Sequence, residues 1–257
     1  MQLPGKHRKR EAALDAQGFS PLPCDAPDID LWQARLHASA SRTRRLAVLL
    51  APDEMQRASR LRSVDDRRRY TVSRGMLRLL IGHYLQCAPA GLRFRYGGNG
   101  KPAVNAPRKL HFNLAHSAER AVYAVSALRP VGIDIEHVAR QVEFERIARR
   151  FFTPKEFADL MAVPAARRRR AFYRLWTAKE AVIKATGKGL SQPLDSFEID
   201  LASSTAELLL PAGPGRKKQI SIFAPYAGRD YIVAVAAPRI VEDLSGQQSS
   251  VAKHAGR

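Results

Sequence analysis

Cysteine is scarce. Cys24 and Cys87 are the only two in 257 residues, far apart and with no CxxC or Cys/His spacing around either. That excludes a disulfide scaffold or a cysteine-based zinc site, and a reducing, cytoplasmic setting is expected. Long apolar runs are missing as well. Leu46–Leu50 and Val233–Ala237 are far too short to cross a bilayer. The basic start of the chain (Lys6, Arg8, Lys9, Arg10) is not followed by the apolar stretch of a signal peptide. No membrane partner is expected. Acids are in deficit, 24 Asp and Glu against 43 Lys and Arg, for a net charge of +19 and a pI near 10.6. Such a chain attracts anions: nucleic acid, a phosphorylated cofactor or an acidic protein.

What is present suffices for a sizeable core. The hydrophobic fraction is 45%, normal for a globular chain, and the length allows one large domain or two small ones. Residues 1–25 are polar and broken by Pro and Gly, and 241–257 read as a Gly/Ser/Gln tail, so both ends are expected to be flexible. Between them, Ile29–Leu36 reads as a strand, Ala51–Gln86 as mainly helical with a long segment Val64–Leu85, and Leu92–Tyr96 as a strand before the turn Gly97–Gly100. Strands are expected at Leu110–Leu114, Ala121–Ser126 and Val131–Glu136, helix from Glu143 to Thr186, and short strands at Phe197–Leu201, Glu207–Leu210, Ile220–Phe223 and Tyr231–Val235.

A weak internal repeat is visible. Ala51-Pro52-Asp53-Glu54, the cluster Arg67–Arg69 and a helix ending near Gly82 are echoed by Thr153-Pro154-Lys155-Glu156, Arg167–Arg170 and a helix ending at Gly187. A period of this length suggests two similar α+β halves rather than a solenoid, with a ligand in the cleft between them.

Two strings carry chemistry. In Val131–Glu136, period-two geometry puts Asp134 and Glu136 on one strand face and Ile133 and Ile135 on the other. Paired carboxylates suit magnesium, which takes one or two of them plus phosphate oxygens and water. Taken alone, the pair describes a half-exposed strand better than a metal site. In Trp176–Leu190 an apolar stripe marks a helix that Gly187 or Gly189 ends, with Glu180 and Lys184 one turn apart. In isolation that pair reads as an i,i+4 salt bridge worth about 0.2–0.5 kcal/mol.

Together the strings resemble a family. W-x-x-K-E-A-x-x-K-x-x-G-x-G-L at Trp176–Leu190, preceded by G-x-D-x-E at Gly132–Glu136, is similar to the 4′-phosphopantetheinyl transferases, in particular the longer, two-halved type. Gly100-Lys101-Pro102, Phe112–Ser117, Phe151–Glu156 and Leu194–Phe197 extend the resemblance across about residues 28–238 in the expected order. It implies an α+β fold of two halves (26–127 and 128–240) related by a pseudo-twofold axis, and transfer of phosphopantetheine from coenzyme A to a serine of an acyl or peptidyl carrier protein. It further implies that Asp134, Glu136 and Glu180 hold Mg2+ on the coenzyme A pyrophosphate, and that Glu180 is a candidate general base. Lys184 would neutralise charge on the departing 3′,5′-ADP, Lys179 would contact phosphate, and Arg74, Lys101 and His116 would grip the 3′-phosphate and pyrophosphate.

One position departs from the pattern. The family commonly has serine before the histidine, and here it is Ala115, so one hydroxyl contact is missing unless Ser117 or a backbone N–H replaces it. The basic clusters Arg67–Arg69 and Arg167–Arg170 are read either as solvated helix faces or as a rim that steers acidic carrier proteins. A nucleic-acid binder is the competing class; the charge favours it, but no zinc-finger, RNP-like or helix-turn-helix pattern accompanies the charge. A non-catalytic carrier-protein binder is a third reading, opposed by the intact Asp134, Glu136, Glu180 and Lys184. A monomer is expected.

Overall fold

The computed structural model describes residues 11–98, 100–106, 109–200, 205–211 and 216–242. Two α+β units follow one another. The first contains β1 (Phe19–Pro21), β2 (Asp30–Arg35), α1 (Ala40–Ala47), α2 (Pro52–Ser59), α3 (Val64–Leu85), the hairpin β3 (Phe94–Tyr96) and β4 (Pro102–Val104), then β5 (His111–Ser117) and β6 (Arg120–Ser126). The second contains β7 (Gly132–His137), α4 (Phe144–Phe151), α5 (Pro154–Ala162), α6 (Ala165–Thr186), β8 (Thr205–Pro211), β9 (Arg216–Phe223) and β10 (Tyr231–Glu242). The sheets run β1-β2-β6-β5 and β7-β10-β9-β8, antiparallel throughout. In each unit the strand that precedes the helices pairs with the unit's last strand, as expected of two similar α+β halves. No helix among the described residues is long and apolar enough to cross a membrane.

The long helices α3 and α6 each cover 22 residues and pack their apolar sides on their own sheet. The repeat seen in sequence is a repeated joint. Glu54, at the start of α2, accepts from Arg74 Nε at 2.8 Å and Arg78 Nε at 2.6 Å, and Arg78 also donates to the carbonyls of Pro89 and Leu92. Glu156, at the start of α5, closes a capping box with Thr153 and meets Lys179 Nζ at 2.7 Å; Lys179 also donates to the carbonyls of Leu194 and Phe197.

A third apolar cluster, including Leu31, Val122, Ile133, Ile135, Val233 and Val235, joins the units. There the edge strands β5 and β7 run side by side without a ladder, so their backbone groups need other partners. Side chains of the first unit supply several. Asn113 Oδ1 accepts the N–H of Ile133 at 2.9 Å, and Ser117 Oγ accepts that of His137 at 3.1 Å. Lys101 Nζ donates to the carbonyls of Val131 at 2.8 Å and Lys184 at 2.6 Å, and Arg120 donates to that of Ala227.

Some expectations are corrected. Residues 11–25 are not loose: Leu14 and Phe19 are fully buried, and β1 pairs with β2. Residues 1–10 and 243–257 lie outside the described residues, and β10 continues through 241–242. The helical stretch from Glu143 to Thr186 is three helices, because Pro154 and Pro164 open new ones. Of the strand expected at Phe197–Leu201, Leu201 lies outside the described residues and 197–200 are not strand: the Phe197 carbonyl binds Lys179 and the Ile199 N–H binds Glu156, so no ladder claims them.

Candidate active site at the seam between the halves

Gly132 fixes where strand and helix meet. A Cβ there would lie 2.1 Å from the Ala181 carbonyl oxygen and 2.3 Å from the Ala185 nitrogen, so only glycine lets β7 lie against α6. That approach carries Asp134 beneath Lys184. Lys184 Nζ lies 2.5 Å from Asp134 Oδ1, so the lysine pairs across to the strand rather than with Glu180 one turn back. The second oxygen of Asp134, Oδ2, is buried with no hydrogen-bond partner. Glu136 accepts from Ser117 Oγ at 2.9 Å. Glu180 is half-buried on the exposed flank of the same seam. Gly187, with φ 73°, ends α6 in the left-handed conformation.

Two cavities open here. One, of about 740 Å³, is lined by Glu180, Lys184, Lys101, Arg150 and Phe151 among others. The other, of about 380 Å³, is lined by Arg57, Arg74, Ala115, His116, Asp134 and again Lys101 and Lys184. Lys101 and Lys184 therefore stand between the two, facing both.

The electrostatics fit a site that awaits opposite charge. Burial raises the carboxyls of Asp134, Glu136 and Glu180 above the ordinary range, and mutual repulsion adds to it for Glu136 and Glu180. Burial lowers Lys101 to about 8, with Lys184 adding to the effect. Lys184 stays above its ordinary value, because Asp134 outweighs the effect of burial. His116 keeps open surface at the cavity mouth, yet desolvation by the walls, then Lys184 and Arg69, hold it low and favour the neutral ring.

Of the residues singled out in the sequence, Asp134, Lys184, Glu180, Lys101, His116 and Arg74 line these cavities, while Glu136 lies beside them on β7. Lys179 does not. It is fully buried, with its ammonium bound to Glu156 and two carbonyls, so the expected phosphate contact is corrected to a structural joint. Arg74 divides itself between Glu54 and the Tyr96 hydroxyl while still reaching the smaller cavity. Ser117 does not stand in for the missing serine, because its hydroxyl is committed to Glu136 and the His137 N–H. Among the described residues no group of three or more His, Cys, Asp and Glu is clustered as a ready ligand set. The basic clusters are largely tied down: Arg68 and Arg69 bind Glu119, Arg67 the Leu61 carbonyl, Arg168 the Met161 carbonyl and Arg170 that of Arg229. Sequence reasoning missed Arg57, Tyr70 and Tyr96, and took Asn113 only as part of the Phe112–Ser117 segment without a role; all four line the smaller cavity.

Comparison with known proteins agrees with this geometry. Residues 130–236 match the family described as the 4′-phosphopantetheinyl transferase superfamily, and 34–128 match one described as 4′-phosphopantetheinyl transferase, N-terminal. The chain is 39% identical over 177 residues to the 4′-phosphopantetheinyl transferase HetI of Nostoc sp., covering 68% of this chain and 74% of that protein. It is 41% identical over 155 residues to a 4′-phosphopantetheinyl transferase of Bacillus pumilus, covering 60% of this chain and 65% of the relative. Against the 4′-phosphopantetheinyl transferase Sfp of Bacillus subtilis it is 34% identical over 163 residues, covering 63% of this chain and 71% of the relative. With both halves matched in order and the carboxylates and lysines gathered at their seam, the chain belongs to the 4′-phosphopantetheinyl transferase superfamily.

Proposed function

We propose that this 4′-phosphopantetheinyl transferase works at the seam, moving the phosphopantetheine arm of coenzyme A onto the serine of an apo acyl or peptidyl carrier protein. The halves divide near residue 128, and residues from both line the site. The observation that carries the reading is that Lys101 and Lys184 face both cavities, beside Asp134 in one and Glu180 in the other.

The smaller cavity, with Arg57, Arg74, Lys101 and His116, suits the phosphates of coenzyme A. Asp134, Glu136 and Glu180 would hold Mg2+. The unpartnered Asp134 Oδ2 and three carboxyls raised by burial are what a divalent cation relieves. When bound, the ion screens the pyrophosphate and polarises the phosphate under attack. Glu180 takes the proton from the carrier serine hydroxyl as general base. The serine oxygen bonds to the phosphorus bearing pantetheine as the bond from that phosphorus to the bridging oxygen breaks. Lys184 stabilises the negative charge that builds on the departing 3′,5′-ADP.

The test is the intact mass of an apo carrier protein after incubation with this protein, coenzyme A and magnesium. A gain of one phosphopantetheinyl group is expected; no gain across several acyl and peptidyl carriers would overturn the reading.

A further inference from the structure

A separate cavity of about 390 Å³ lies on the first sheet, lined by Asp15, Ser20, Arg35, His37, Arg42 and Arg120 among others. Four of those side chains are basic and one is acidic. Elsewhere in this unit the enclosed arginines find carboxylates: Arg68 and Arg69 meet Glu119, and Arg74 and Arg78 meet Glu54. Among the described residues, the arginines of this cavity form no ion pair. Arg42 Nη2 donates to the Gln17 carbonyl at 2.5 Å and lies 3.6 Å from the Met76 sulfur. Gly18 makes room for it: with φ 86°, it has no Cβ, and one there would sit 2.6 Å from Arg42 Nη2. Arg120 donates to the Ala227 carbonyl and stacks over the Tyr231 ring with its Cζ 4.2 Å from the centroid.

Two guanidinium groups are thus held in place by neutral partners, which fixes their position, and neither forms an ion pair among the described residues. The strand register adds a third. Arg35 on β2 stands directly opposite Arg120 on β6, a like-charge pairing that disfavours the sheet on its own account. A bound anion removes that repulsion, and because Arg42 and Arg120 are already ordered, little side-chain freedom is lost on binding.

We infer that this cavity is a second anion site, sharing no lining residue with the two active-site cavities, that takes a phosphate group as inorganic phosphate or as a small phosphate ester. Guanidinium forks match phosphate oxygens in geometry as well as charge. His37 and Ser20 stand at the rim as further donors.

The His37 ring-proton resonance, assigned by its loss in His37→Gln, is the local reporter. Titration of the full chain with inorganic phosphate, at matched ionic strength, moves it saturably. Arg35 and Asp15 are both exposed, so their variants keep the fold. Arg35→Gln weakens the affinity about threefold or more and Asp15→Asn tightens it by about threefold, the size of single exposed charge interactions. Lys101→Gln, at the seam, leaves it unchanged. Tighter binding of glycerol 3-phosphate than of phosphate identifies an ester as the source, and the reverse identifies the free ion; either supports the site. A resonance that does not move with either phosphate, or variants of Arg35 and Asp15 that change affinity alike, overturns it. Movement with a polyglutamate peptide alone also overturns it, in favour of an acidic protein contact.

Discussion

Arg78 on α3 and Lys179 on α6 occupy equivalent places in the two halves: each is fully enclosed, and each ties a carboxylate at the start of a preceding helix to two carbonyls further along the chain. The joint decides what substitution at Lys179 does. Lys179→Met leaves Glu156 buried without its cation, a loss of about 3–5 kcal/mol. Urea unfolding should show that loss, while coenzyme A titrated against the protein that remains folded binds as tightly as to wild type. A large fall in coenzyme A affinity with unchanged stability would restore the phosphate contact.

Asp134→Asn and Glu180→Gln keep shape and remove charge at the seam. Transfer to an apo carrier should fall by about 100-fold or more in each. The melting temperature of Glu180→Gln should hold or rise, since burial raises that carboxyl, whereas Asp134→Asn should lower it, because Lys184 loses its partner. Near-normal turnover in both variants at saturating magnesium would remove them from the mechanism.

Ala115→Ser places a hydroxyl in the wall of the smaller cavity, where Ser117 cannot act because Glu136 and the His137 N–H hold it. Coenzyme A should bind tighter by about 0.5–1.5 kcal/mol. If the contact is to the 3′-phosphate, desphospho-coenzyme A should gain little. Calorimetric titration of both ligands separates the cases, and no gain with either means the hydroxyl finds no acceptor.

Glu119 gives a pH dependence with a definite sign. Hydrogen bonds from Arg68 hold its carboxyl down to about 2, against a normal value of 4.5, with burial opposing and Arg69 assisting. A depressed carboxyl stabilises the fold fully above its unfolded value and loses that contribution as pH falls through the folded one. The difference in melting temperature between wild type and Glu119→Gln should therefore be greatest above pH 4.5 and shrink toward pH 2. A difference constant across that window would mean Glu119 acts only by packing.

Much of this was legible in sequence because it depends on local periodicity. Val64–Leu85 has the expected ends because Ser63 caps its start, and Asp134 and Glu136 share a face because strands alternate. What sequence could not reveal was pairing across distance. Lys179 and Lys184 lie on one helix with the same side-chain chemistry, but one points into a core that holds Glu156 and the other toward Asp134. Likewise, Arg68 and Arg69 read as part of a free basic face because Glu119, their partner, arrives from a distant hairpin. Burial of Leu14, Phe19 and Leu22 was hidden because they stand apart from one another in a stretch broken by Gly and Pro.

One set of bonds across the seam has a direction. Lys101, Asn113, Ser117 and Arg120 supply side chains from the first unit, and main-chain groups of Val131, Lys184, Ile133, His137 and Ala227 receive them. Main-chain groups are the same whatever residue carries them. The second unit can therefore change the side chains at those five positions without altering these bonds, whereas a change at any of the four first-unit side chains is felt at once; Arg129, Glu136 and Tyr231 are second-unit side chains that also meet the first unit, at Asp28, Ser117 and Arg120. At these main-chain contacts inheritance is thus one-sided, and hybrids that join this first unit to the second unit of a diverged relative carry that part of the docking code in their backbone.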